Sequence, residues 1–430
     1  MKQEFKSETK NNNNFGHAVV IGSSITGLTA ARVLTDHFDR VTIIERDKLS
    51  LNPEFRRGVP QTRHGHSLPM RGQEALEKLF PGLADELAAN GAVRINGGSE
   101  MAFFIAGGWH EVKHHSAMVS MTSSRPLLDT TIYRRLLGHP RVQVIQESEV
   151  IGLLTDGQNK RVTGVRLQSR RGLVRNKTTL AADLVVDASG RHSAAPEWLI
   201  SLGYEPPKET TINAFSGYAT RIYRRPAGFS ENWKTMYIRP TPPNGSRGGL
   251  IMPIEGDRWI VTLIGMNGDY PPTDEDEFLA FARSLPTPQL YEAIKDAEPL
   301  TKPFGYRHTA NRVRHYDDLP RYLEGFVIAG DAVYILNPVY AQGMTASLMG
   351  SQALESVLEE QKNQIDLAGL AQNFQTRLTQ NVASAWKMAT REDQRWPSTE
   401  VTEQTEIVLP RRRQVLEALS QPLSMGTATA

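Results

Sequence analysis

Two segments far apart in this chain have residue types suited to holding a phosphate-rich ligand. The first is HAVVIGSSITGLTAARVL, His17 to Leu34, and the second is FVIAGDAVYILNPVYAQGMT, Phe326 to Thr345. Each reads as an apolar strand, a turn of glycine and small polar residues, and then a helix with Ala and Leu spacing. A glycine turn brings backbone close to a phosphate. The helix that follows points unpaired N–H groups and the positive end of its dipole at the same spot. Two such turns suit one extended ligand gripped from both ends, and a dinucleotide with a polyol bridge, FAD, has that form.

The N-terminal segment supports this in detail. His17 to Ile21 is an apolar strand ending at Gly22, a helix is expected from about Gly27 to His37, and a second strand, Val41 to Glu45, ends in a carboxylate. In a Rossmann βαβ unit the first glycine makes the turn and the last lets helix and strand pack closely. The acid closing the second strand takes the ribose hydroxyls. Here Ser24 stands where G-x-G-x-x-G has its middle glycine; serine is still small enough for close approach of the backbone.

Other candidates carry a functional and a bland reading together. His64 and Arg57, with His66, all in RRGVPQTRHGH, are the candidate catalytic side chains; the histidines are of a type suited to acid–base work, and equally to hydrogen-bonded loop histidines. As an H-x-H pair they also raise a metal site, but zero cysteines and no nearby third ligand argue for none. His114-His115 read as solvated or strand-edge groups. Arg312 and Arg314 are able to attract a cofactor phosphate, though structural roles for them are favoured.

The framework around these residues is legible from composition and periodicity. The 430 residues suffice for two or three domains, and a net charge of +2 with interspersed signs argues against a nucleic-acid surface. Without cysteine there is no disulfide or thiol chemistry. The Asn-rich start lacks the apolar core of a signal peptide and reads as a disordered tail over 1–15. With no long apolar run there is no transmembrane span, so a cytoplasmic protein is expected, with transient membrane contact left open and a monomer or dimer as the state. Helices are expected over Leu68 to Asn90, broken at FPG, over Pro126 to Leu137, and over Gly343 to Arg391. Strands are expected at Val142 to Ile145, Val150 to Thr155, Arg161 to Gln168 and Asp183 to Gly190. The expected fold is α/β: a Rossmann-type FAD-binding domain (16–205 and 305–360), an antiparallel-sheet substrate domain (206–304) and a C-terminal helical segment (361–430).

With these segments in place the chain resembles the class A FAD-dependent monooxygenases, the group of aromatic hydroxylases and squalene-epoxidase-like flavoproteins. Three motifs in the family's order carry the resemblance: GSSITG with Glu45-Arg46, VVDASGR at Val185 to Arg191, and the Gly330-Asp331 segment with its Pro-containing loop. The resemblance implies that Gly22, Ser24, Ile25 and Gly27 cradle the FAD pyrophosphate, with Glu45 and Arg46 at the ribose end and the Val150 backbone meeting the adenine. It implies that Arg125 and Asp331 reach the ribityl chain, that Asp187 and Gly190 belong to the second motif, and that Pro338, Gly343 and Met344 line the isoalloxazine. Ala341 stands where the family commonly has glycine, and Ala194 and Ala195 stand where an Arg associated with NAD(P)H handling is frequent.

The implied chemistry is hydroxylation or epoxidation of a hydrophobic aromatic, polyketide or polyene substrate, with NAD(P)H as transient reductant, O2, and a flavin C4a-hydroperoxide. The flavin carries the reaction, so no side chain is required as a catalyst. Phe215, Tyr218, Tyr237 and Met252, with Met236, Met266 and Trp259, are the candidate pocket residues. A halogenase shares the fold, but GLIMPI at Gly249 to Ile254 stands in place of the W-x-W-x-I-P signature of that group. A flavin-linked reductase or cyclase of an isoprenoid-like substrate is the alternative enzyme, and a catalytically silent nucleotide-binding protein is the alternative from another class.

Overall fold

The computed structural model describes residues 15–56, 58–111, 119–172, 176–362, 364 and 366–404. Arg57, His114-His115, the Asn-rich start and the last part of the 361–430 segment, beyond residue 404, lie outside the described residues. The central sheet is parallel, in the order Phe326–Ile328, Leu184–Asp187, Phe15–Ile21, Phe38–Ile44, Val142–Ile145. The carboxyl halves of these strands are largely apolar because the helix Ile25–Leu34 and the antiparallel strands Ser148–Thr155 and Val162–Ser169 all pack against the sheet. Register decides the site. Ile21 pairs with both Ile44 and Asp187, and Asp187 pairs with Ile328, so four carboxyl ends stand level. The turns that follow them, which contain all three motifs, therefore emerge along one edge.

The first helix is Ile25–Leu34 rather than the span from Gly27 to His37. The Thr35 hydroxyl donates to the Arg32 carbonyl at 2.6 Å, closing the helix before Phe38 opens the next strand. The long helix Gly343–Gln361 lies against it through hydroxyls. Thr26 donates to Ser347 at 2.9 Å, and Ser351 donates to Thr29 at 2.7 Å. This ties the two glycine-turn units into one body.

The second large sheet has seven strands, in the order Phe304–Tyr306, Gly217–Arg224, Arg258–Gly265, Arg247–Ile254, Thr235–Ile238, Met101–Ile105, Gly108–Glu111. One face buries Tyr223, Trp259, Val261 and Leu263 under the helices Glu275–Arg283 and Gln289–Ile294. By alternation the other face carries Tyr218, Thr220, Leu250, Met252, Thr262 and Ile264. The expected boundaries need correction at three places. Residues 101–111 belong to this sheet through the parallel pairing of Thr235–Ile238 with Met101–Ile105, not to the FAD domain. Phe304–Tyr306 extends the sheet at its other edge. The C-terminal segment is not helical throughout: after the helix Leu370–Asp393 comes the strand Glu400–Gln404, antiparallel to Glu209–Asn213. Pairings between residues so far apart leave no local trace in sequence. Among the described residues no helix is long and apolar enough to cross a membrane.

Candidate flavin site

The first turn is built around two glycines that nothing else replaces. Gly22 has φ +99°, and a methyl there would stand 2.6 Å from the Ala188 carbonyl oxygen; one at Gly27 would stand 1.9 Å from that of Gly22. Ser24 caps the helix in position, with extended backbone but no side-chain cap bond, and Ile25 is buried at its first position. The first-turn N–H groups thus face the sheet edge without a side chain satisfying them, as a phosphate requires. Gly330 closes the cradle from the other motif. Its φ is +61°, and a methyl there would meet the Thr26 hydroxyl at 2.3 Å.

The charged candidates surround this cradle. Glu45 is buried; one oxygen accepts from the Ser23 N–H at 3.0 Å and hydroxyl at 2.5 Å, and the other from the Asp47 N–H at 2.9 Å. It therefore shapes the glycine turn, and its remaining lone pairs are available to a ribose. Arg125 is buried rather than a surface residue. It binds Asp129 through Nε at 3.0 Å and reaches Ser24 Oγ at 3.5 Å. Val150 stands two residues after Ser148, whose N–H donates to the Glu45 carbonyl at 3.0 Å, so its strand runs beside Glu45. Arg46 is exposed and donates to the Gly58 carbonyl at 3.3 Å. Asp187 is fully buried, and its carboxylate accepts from the Ser189 N–H at 2.9 Å and the Ser193 hydroxyl at 2.5 Å. It holds its own turn, in which Gly190 takes φ +81°. Asp331 is half-buried in the turn after Gly330; desolvation there pushes its carboxyl above the usual range against the pull of Arg191, Arg125 and Arg312.

Arg312 and Arg314 have structural partners. Arg314 Nε lies 3.1 Å from the Glu209 carboxylate, and Arg312 donates to the carbonyls of Arg191 and Asp331, each at 3.2 Å. Beyond Asp331 the chain forms the loop Asn337 to Gln342, with Pro338 exposed, and Met344 is buried at the start of the long helix. That helix begins without a side-chain cap, and nothing lies within 4 Å of where a side-chain carbon on Gly343 would stand. Ala341 is left-handed, with φ +55°, at the position where the family commonly has glycine. The cradle, the open helix start and the polar flank together fit FAD.

A family model described as an FAD binding domain matches residues 17–385. The chain belongs to the FAD-binding-domain family. It is also 34% identical over 381 residues to the protein Rv3254 of Mycobacterium tuberculosis H37Rv, covering 86% of this chain and 79% of that protein. Among solved structures it is similar to the myxobacterial chondrochloren halogenase CndH, with a TM-score of 0.65, 15% identity and coverage of 94% of this chain and 89% of that one. For p-nitrophenol 4-monooxygenase PnpA from Pseudomonas putida DLL-E4 the TM-score is 0.62, with 16% identity and coverage of 94% and 93%. For a flavoprotein/dehydrogenase from Cytophaga hutchinsonii it is 0.62, with 19% identity and coverage of 87% and 85%. At these identities the likeness is one of fold, shared by FAD-dependent monooxygenases and halogenases, and it agrees with membership of the class A flavoprotein family.

In this flavoprotein the pocket candidates separate. Tyr218 stacks on Tyr306 at 5.3 Å between centroids, and Tyr237 joins Tyr218, Val339 and Trp396 on the face beside the flavin loop. Burial pushes the Tyr237 hydroxyl up to about 12. Met266 lies in the same cluster, Met252 lies on the same sheet face in a separate cluster, and Met236, Trp259 and Phe215 lie elsewhere. Met252 packs with Ile222, Ile254 and Ile260, and Gly65 lies over it, where a methyl would be 3.2 Å from its terminal carbon. Trp259 and Met236 face the opposite core, and Phe215 sits in a left-handed turn before the strand. His64 lies on the sheet, its Nδ1 2.9 Å from Thr220 Oγ1 and its ring edge-on to Tyr218 at 4.7 Å. Burial, with Arg63 nearby, lowers its pKa to about 4, so at neutral pH it is an uncharged ring. His66 Nδ1 lies 2.9 Å from the His64 carbonyl, and its pKa too is depressed, by burial and by Arg125. Among the described residues no three His, Asp or Glu side chains gather as a metal site would need.

Sequence reasoning missed Arg56. It donates to the Ser23 hydroxyl at 2.8 Å and carbonyl at 3.0 Å and lies 3.6 Å from Glu45 and 3.9 Å from Asp129. Adjacent arginines cannot be told apart by type, and only the path of the loop selects one. It also missed Asp393, whose carboxyl is pushed up to about 6 by burial, against hydrogen bonds from Tyr340, Asn337 and Asn311.

Proposed function

We propose that this flavoprotein is a monooxygenase that uses NAD(P)H and O2 to hydroxylate or epoxidise a hydrophobic aromatic, polyketide or polyene metabolite. One observation supports this most: the loop that leads into the uncapped helix start at Gly343 packs, through Val339, with the sheet residues Tyr218, Tyr237 and Ile264 and with Trp396, which follows the helix Leu370–Asp393. FAD, when bound, would supply the redox chemistry by which NAD(P)H activates O2, one oxygen atom entering the product and the other leaving as water. The chain's own residues do the rest. The helix start at Gly343 stabilises negative charge on the bound ring by about 1 kcal/mol. The aromatic face excludes water, which otherwise consumes the oxidant as H2O2. His64, uncharged, adds no cation to that face. We assign Gly22, Ser24, Gly27 and Asp331 to the polar spine of FAD, Arg125 to its ribityl end, and Glu45 with Val150 to the adenosine.

The test is the visible spectrum, followed by NAD(P)H and O2 consumption with hydrophobic phenols and polyenes. A yellow protein that oxidises NAD(P)H with O2 uptake and adds one oxygen to product mass agrees with the proposal. Anaerobic turnover instead identifies a reductase or cyclase, and product that gains a halogen identifies a halogenase. A colourless protein that takes up no FAD overturns the reading altogether.

A further inference from the structure

We propose that Asp393, the last residue of the helix Leu370–Asp393, is a positioning residue that sets the flavin loop through three neutral hydrogen-bond donors. The residue is 0% exposed. Its Oδ1 accepts from Asn337 Nδ2 at 2.9 Å and from the Tyr340 hydroxyl at 2.7 Å; its Oδ2 accepts from Asn311 Nδ2 at 2.6 Å. Asn311 in turn accepts from the Asn337 N–H at 2.7 Å, and Asn337 accepts from the Val339 N–H at 3.1 Å. Both ends of the segment Asn337 to Tyr340 therefore hang from one side chain that is distant in sequence. This segment leads directly into Ala341 and the helix start at Gly343.

The donor set explains why a carboxylate is needed. Two amide NH2 groups and a phenol require acceptor positions on both oxygens at once, and only an acceptor-only group supplies them. An amide in its place turns one oxygen into a donor facing other donors and leaves buried groups unsatisfied. The same helix end also reaches the substrate sheet. Neighbouring Glu392 pairs with Arg239 at 2.6 Å, just past the strand Thr235–Ile238. The Asp393 carbonyl accepts from the N–H of Trp396, a residue packed with Tyr218 and Ile264. One helix terminus thus registers the loop that holds the flavin against the face expected to hold the substrate.

The inference rests on FAD occupying the site and on that loop lining its ring, not on the reaction catalysed. The experiment compares wild type, Asp393→Asn, Tyr340→Phe and the double variant, reading FAD dissociation constant, flavin absorption spectrum, flavin midpoint potential and unfolding of the FAD-free protein. We expect Asp393→Asn to weaken FAD binding at least tenfold and to shift the flavin spectrum and potential. Tyr340→Phe in that background is expected to add little to the loss, because both substitutions break the same network that holds the loop. The proposal is overturned if Asp393→Asn lowers only the unfolding midpoint while FAD affinity, spectrum and potential stay within twofold of wild type. Additive losses in the double variant overturn it as well. None of these readouts needs turnover, so a protein that binds FAD but inserts no oxygen removes the proposed activity and still decides the role of Asp393.

Discussion

Acid should destabilise this protein in part through His64, and the size of the effect follows from its surroundings. The ring is buried against Tyr218 and Tyr306 with Thr220 at Nδ1, and its pKa falls from 6.5 to about 4. A depressed folded-state value means the folded protein binds this proton less readily than the unfolded chain. The stability from keeping His64 neutral is therefore complete above about pH 6.5 and is lost as pH falls toward about 4. Integrating between about pH 7.5 and pH 5 gives a loss of about 2 kcal/mol from this one residue. Asp393, raised to about 6, acts with the opposite sign: its contribution is present at low pH and lost as pH rises through about 6. Comparing wild type with His64→Gln cancels Asp393 and the other groups, and glutamine keeps a hydrogen-bonding partner for Thr220. Urea unfolding with excess FAD, at steps from about pH 7.5 to pH 5, should show wild type losing about 2 kcal/mol more than His64→Gln. Equal slopes for the two proteins would refute the assignment of a buried, neutral His64.

Three further outcomes follow from the same geometry. Gly27→Ala puts a methyl 1.9 Å from the Gly22 oxygen and should abolish FAD retention on purification, which the absorbance ratio of flavin to protein reads directly; full retention would mean the turn moves freely. Arg56→Gln removes the donors holding Ser23 beside Glu45, and FAD should bind about tenfold more weakly, a change of about 1.4 kcal/mol measurable by calorimetry. Ala341→Gly relieves a left-handed alanine, worth about 1 kcal/mol, against about 0.5 kcal/mol of added chain entropy; the unfolding midpoint should hold or rise slightly, and a clear drop would count against strain at this position.

The local half of the site is legible in the order of residues. Apolar runs ending in glycine turns, with small residues opening each helix, specify strand–turn–helix units wherever they occur. Type and spacing alone therefore pick out Gly22, Ser24, Gly27, Gly330 and Asp331. They pick out Glu45 too, although its oxygens serve Ser23 and Asp47 as well as any ribose. What stays hidden depends on pairing across long stretches of chain. The strands at Met101–Ile105 and Glu400–Gln404 join sheets whose other members are remote in sequence. Sheet face divides Tyr218 from Trp259, since a one-residue offset sends side chains to opposite sides. The contact of Asp393 with Asn337 is of the same kind.

The dinucleotide cradle and the α/β class thus follow from the chain read residue by residue, because turn chemistry and hydrophobic period are local properties. Long-range packing selects which arginine meets the cradle, which aromatic residues face the flavin loop, and which carboxylate carries that loop. Those are questions of which distant surfaces meet, and burial makes a donor or carboxylate consequential only once its partners have been brought to it.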